Sequence, residues 1–145
     1  MTDIQTSKDI ALTFLDHCFR FEIDRAVAML GDGATWWVLG NAEKIKVSGE
    51  RDATRVRRLL ETVRRGFPEG IQMQVGGVTA EGGRVAIEAS SSAPLGNGKS
   101  YHNRYHFLIE VSGDRVMKVR EYMDTEHAYE VQLAASGTPV PTPLR

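Results

Sequence analysis

Beyond residue 70 the chain changes to a period of two and holds it through four consecutive runs, joined by links too short to contain a helix. The runs cover residues 71–79, 84–92, 101–111 and 116–123, separated by Glu81-Gly82-Gly83, by residues 94–98 and by Ser112-Gly113-Asp114-Arg115. Links of this length turn a strand back beside its predecessor, so the pattern predicts an antiparallel meander. The last hairpin, residues 98–124, is unusually rich in polar and aromatic groups for a buried sheet. Alternation puts Asn103, Tyr105, Phe107, Ile109 and Val111 on one face and His102, Arg104, His106, Leu108 and Glu110 on the other. The first face is the more apolar and is expected to be buried, carrying Asn103 and Tyr105 inside. On the following strand Val119, Glu121 and Met123 share a face.

Helical spacing dominates the part ahead of the meander. With Ser7 or Asp9 as N-cap, Ile10, Phe14, Leu15, Cys18 and Phe19 mark an amphipathic helix over residues 10–21. A short helix at 23–30 is ended by Gly31-Asp32-Gly33, and a strand rich in Thr, Trp and Val follows at 34–39. Residues 40–49 read as a loop with a short strand through Ile45 and Val47. A third helix, 52–65, docks through Val56, Leu59, Leu60 and Val63 and stops at Gly66-Phe67-Pro68. After the meander, Asp124 or Thr125 caps a helical turn, and a proline-rich tail at 137–145 is expected to be extended or frayed. Helices grouped ahead of a curved antiparallel sheet predict an α+β fold, as one domain spanning 1–145.

Charge and cysteine content narrow the function classes. The 18 basic and 19 acidic residues nearly cancel, which leaves no electrostatic footprint for nucleic acid. The arginines of the third helix, Arg51 to Arg65, interleave with Glu50, Asp52 and Glu61 in the pattern of a solvated face. No apolar run approaches the roughly 20 residues of a membrane span. Cys18 is the single cysteine, which excludes an intrachain disulfide and fits a reducing, cytoplasmic setting. His102 and His106 lack an accompanying acid or third ligand, so no metal site is expected.

Several strings, taken in order, resemble a known family. They are Glu22-Ile23-Asp24-Arg25-Ala26 with the turn at 31–35, Ser48-Gly49-Glu50, Asn103-x-Tyr105-x-Phe107, and Val119-Arg120-Glu121-Tyr122-Met123-Asp124. With the order of elements, they make the chain similar to the SnoaL-like group, related to polyketide cyclases and ketosteroid isomerases, in the nuclear transport factor 2-like superfamily. The resemblance implies a cone-shaped α+β barrel whose bent sheet wraps the first helix and leaves an apolar pocket at the wide end. It implies a homodimer joined through the outer sheet face and a small hydrophobic ligand, with no cofactor. Reaction type does not follow from the fold, which hosts isomerases, cyclases, dehydratases, epoxide hydrolases and binders.

Carried over position by position, the family's catalytic groups are mostly missing. Phe14 stands where ketosteroid isomerases have a helix tyrosine, and Val38 where they have the base. Their late acid, kept neutral by an apolar site, falls near Tyr105 or His106. Alignment with limonene epoxide hydrolases puts Glu88 at the Arg position and Ser90 and Glu121 at the two Asp positions of their Asp-Arg-Asp arrangement, so the Arg is replaced by an acid and only Glu121 keeps an expected acid. Glu121 is therefore the candidate acid/base, with Tyr105 and Asn103 as donors to a developing oxyanion. Pairing with Arg104 or Arg120 would instead make Glu121 structural. The resemblance sends Trp36, Val38, Leu60, Val63, Val119 and Met123 to the pocket wall with Phe14, Glu88 and Ser90. For Glu88 the strand pattern points the other way, because Val85, Ile87 and Ala89 form the apolar face.

Overall fold

The computed structural model describes residues 3–95 and 98–135, so the tail expected at 137–145 lies outside the described residues. Helix α1 (Ile4–Phe19) begins earlier than its apolar spacing suggests. Asp3, rather than Ser7 or Asp9, is its cap, the carboxylate accepting from the Thr6 N–H at 3.2 Å. Ala11, Phe14, Leu15 and Cys18, three and four residues apart, form the buried stripe. After α2 (Ile23–Ala28), strand β1 (Leu30–Val38) starts ahead of Gly31-Asp32-Gly33, with Leu30 opposite Val116, so these glycines lie inside a strand.

The strand expected through Ile45 and Val47 is absent. Those residues lie in turns, where the Asn41 side chain accepts from the Glu43 N–H at 2.9 Å and the Ser48 hydroxyl donates to the Ile45 carbonyl at 2.7 Å. Local side-chain bonds of this kind compete successfully with a ladder. The strand is instead β2 (Gly49–Asp52), which runs directly into α3 (Ala53–Gly66) with Asp52 as cap, accepting from the Arg55 N–H at 3.1 Å. The meander follows as β3 (Gln72–Glu81), β4 (Arg84–Pro94), β5 (Ser100–Ser112) and β6 (Arg115–Met123). Helix α4 (Thr125–Ala135) comes next, with Asp124 accepting from the His127 N–H at 3.2 Å.

The six strands make one sheet in the order β2-β1-β6-β5-β4-β3. Every neighbouring pair is antiparallel except β1 and β6, which run parallel. That pairing sets Trp36 beside Val119 and Val38 beside Glu121. Register shifts between Leu30 and Thr35, between Val75 and Val78, and at Glu110/Val111 interrupt the ladders, and such bulges bend a sheet. The curved sheet packs against α1 through a core in which Phe14, Leu15, Ile87, Phe107, Ile109 and Val116 are fully buried. Alternation on β5 is as expected, with Asn103, Tyr105, Phe107, Ile109 and Val111 inward and His102, Arg104 and His106 exposed. The architecture is α+β, helices on a curved, mostly antiparallel sheet. No helix among the described residues is long and apolar enough to cross a membrane.

Candidate functional site

Bending the sheet around α1 leaves a cavity of about 420 Å³ between its concave face, α3 and α4, within the range of small-molecule sites. Trp36 and Val38 of β1, Leu60 and Val63 of α3, and Met123 of β6 line it. Phe19 and Phe21 at the end of α1, and Val131 of α4, complete an apolar wall. A side-chain clamp holds α4 in place. The Gln132 amide accepts from the Lys46 N–H at 3.0 Å and donates to the Lys44 carbonyl at 2.6 Å.

Into this apolar space β6 projects one carboxyl, that of Glu121. The Trp36 indole N–H donates to its Oε1 at 3.1 Å. Burial raises the carboxyl pKa from 4.5 to about 7, against the smaller opposing effects of the Trp36 bond and the positive charge of Arg51. Arg51 stands opposite Trp36 in the β1–β2 ladder, its guanidinium held by the Val47 and Ser48 carbonyls at 2.6 and 3.4 Å. Burial in turn lowers the Arg51 pKa, and the charge of Glu121 opposes that shift. No salt bridge joins Glu121 to Arg104 or Arg120 in the described structure. Arg104 is exposed on the opposite face of β5, and Arg120 lies over the Trp37 ring, 5.8 Å from its centroid.

Tyr105 and Tyr101, two residues apart on the inward face of β5 from Asn103, also line the cavity. Their hydroxyls lie 3.0 Å apart, and that of Tyr105 is 2.9 Å from the Ser91 hydroxyl. Asn103 is buried and fully engaged by the chain itself. Its oxygen accepts from the Arg104 and Asp124 N–H groups at 2.7 and 2.9 Å, and its Nδ2 donates to the Tyr101 hydroxyl at 2.8 Å. It braces the β5–β6 end and does not line the cavity, so the expected direct contact of Asn103 with a ligand oxygen is corrected: its amide meets the Tyr101 hydroxyl instead.

Four other expected wall residues are placed elsewhere. Phe14 is fully buried behind the wall, its ring 5.8 Å from Trp36, and Val119 is buried beneath it. Glu88 is exposed on the outer face opposite His106, and Ser90 lies in an outer cleft with Gln74 and Arg104. Here the apolar pattern Val85, Ile87, Ala89 is decisive. These residues point inward, so the epoxide-hydrolase alignment is one residue out of phase on β4. Of the alternatives Tyr105 and His106, Tyr105 faces the cavity. Tyr101 and Arg51 were not anticipated. Extending the β5 alternation two residues back reaches Tyr101, whereas a strand of four residues gives Arg51 no periodic signal. Away from the cavity, Asp16, His17 and Glu22 bring possible ligand atoms within 4.8 Å of one another. Asp16 and Glu22 are already paired with Arg20 and Arg25 at 3.0 and 3.3 Å.

Solved structures share this fold over nearly the whole chain. An LEH-like epoxide hydrolase from M. tuberculosis superimposes with a TM-score of 0.71 at 18% identity, covering 94% of this chain and 96% of the other. An NTF2-like protein from Anabaena variabilis gives 0.71 at 23% identity, covering 86% and 94%. TerC, co-crystallised with polyporic acid, gives 0.75 at 12% identity, covering 87% and 97%. The chain has the nuclear transport factor 2-like fold that its sequence strings suggested. Neither a protein-family model nor a curated protein matches the sequence.

Proposed function

We propose that the chain is a cofactor-independent proton-transfer enzyme acting on a hydrophobic, carbonyl-bearing or cyclic metabolite, as an isomerase, cyclase or dehydratase does. The observation that carries this reading is the Glu121 carboxyl in an apolar cavity with a pKa of about 7. Near neutral pH such a group is present as both acid and base, the condition under which one residue can remove and return a proton. In the proposed step the carboxylate takes a proton from carbon next to a carbonyl. The C–H electron pair becomes the enolate double bond, and negative charge moves to oxygen. The carboxylic acid then returns its proton at another position. A tyrosine hydroxyl lining the cavity stabilises the enolate oxygen.

A substrate-independent test uses β-tetralone in D2O, followed by proton NMR. The protein should accelerate exchange of the acidic hydrogens, and Glu121→Gln should abolish the acceleration. Equal exchange with and without the protein would sink the reading. The competing reading is a binding module without chemistry. It is favoured by the non-acidic residues Phe14 and Val38 at the transferred positions and by the hydroxyls already bonded to one another. We further propose that two copies pair through the outer sheet face, where Tyr122 is 37% exposed and edge-packs on Trp37. Sedimentation of a monomer at micromolar concentration would contradict that pairing.

A further inference from the structure

The hydroxyl chain in the cavity has one proton more than it can use. Three hydroxyls, those of Ser91, Tyr105 and Tyr101, are joined by two hydrogen bonds of 2.9 and 3.0 Å. Each hydroxyl brings one proton, and the two bonds use two of them. Asn103 cannot take the third. Its oxygen already faces the Arg104 and Asp124 N–H groups, which can only donate, so the group facing Tyr101 is Nδ2, itself a donor. One hydroxyl proton is therefore left without an acceptor among the described residues. Leaving it on Ser91, which is 5% exposed and outside the cavity wall, strands a buried donor. Left on a tyrosine, it faces the cavity and awaits a ligand atom.

We propose that Tyr101 is the donor that the cavity presents to its ligand, a hydrogen bond aimed at a ketone, ester or similar oxygen acceptor. The inference rests on the reading of the cavity as a carbonyl site and names the recognising group within it. The protons then run from Ser91 to Tyr105, from Tyr105 to Tyr101 and from Tyr101 to the ligand, while Asn103 donates to Tyr101 from the side. Two donations into the Tyr101 oxygen polarise its own O–H, and each strengthens the bond it gives. Its ring is fixed between Phe67, centroids 5.1 Å apart, and the buried His127, stacked at 5.3 Å with 13° between planes. Burial pushes the Tyr101 hydroxyl to about 12, against the lowering effects of its bonds with Tyr105 and then Asn103, and pushes Tyr105 well above its ordinary value.

The test compares β-tetralone with its oxygen-free counterpart tetralin in the Glu121→Gln protein, where the base is absent. Affinity and the infrared carbonyl stretch are read together. Bound β-tetralone should show a stretch below its value in an apolar solvent. Adding Tyr101→Phe should return the stretch to that value and weaken β-tetralone about tenfold, with tetralin unaffected. Tyr105→Phe should keep the lowered stretch, because Asn103 still feeds Tyr101. A lowered stretch that survives Tyr101→Phe, or disappears in Tyr105→Phe, overturns the assignment. An unshifted stretch in the parent overturns Tyr101 alone and leaves the exchange result standing, whereas no binding of β-tetralone overturns the carbonyl-site reading with it. Should Tyr101→Phe fail to fold, fluorotyrosine at position 101, a more acidic phenol, must lower the stretch further, and the absence of that lowering also overturns the proposal.

Discussion

Glu121 is costly to the fold at the pH where it is most useful. Its carboxyl titrates at 4.5 unfolded and about 7 folded, so between those values the native chain holds more proton than the unfolded one. Stability is therefore fully present below about pH 4.5 and falls as pH rises through about 7, by about 3 kcal/mol in all. Glu121→Gln should remove this dependence, raising stability in urea titrations at alkaline pH and changing little in acid. Trp36→Phe should push the carboxyl above 7, since it deletes the hydrogen bond that favours the charged form. A carboxyl that titrates lower in that variant would show that the indole bond has the opposite effect. At this scale strand parity pointed to Tyr105, and the family resemblance singled out Glu121 as the one acid retained at a transferred position. The tryptophan bond was hidden, because it joins strands 85 residues apart.

Elements on either side of the cavity owe their placement to short local devices. Asp52 both ends β2 and caps α3, the helix that carries Leu60 and Val63 to the wall. Asp52→Ala should cost about 1 kcal/mol in chemical denaturation. Gly83, in the β3–β4 turn, lies against β5, where an added Cβ would collide with the Val111 carbonyl oxygen. That oxygen belongs to backbone and cannot swing away, so Gly83→Ala should destabilise by about 2–3 kcal/mol. An unchanged denaturation midpoint would mean that the turn relaxes more readily than its packing suggests. The meander and α3 were legible because period two and a capped apolar stripe persist over many residues. The start of α1 and β2 were not, because a single capping aspartate and a four-residue strand leave almost no pattern.

Across the whole molecule, the parallel pairing of β1 with β6 converts the fold into a site. It closes the early strand onto the last, so that a carboxyl from near the end of the sheet meets an indole from its beginning. Fold class followed from the order of elements and from local strings. The cavity's polarity did not, because long-range pairing decides which groups meet inside it. Carbon NMR of the labelled Glu121 carboxyl, titrated with and without β-tetralone, decides whether this group can serve as both acid and base near neutral pH. The midpoint should lie at about 7 and move when the ketone binds. A midpoint at the ordinary glutamate value of about 4, unmoved by the ketone, would contradict that role.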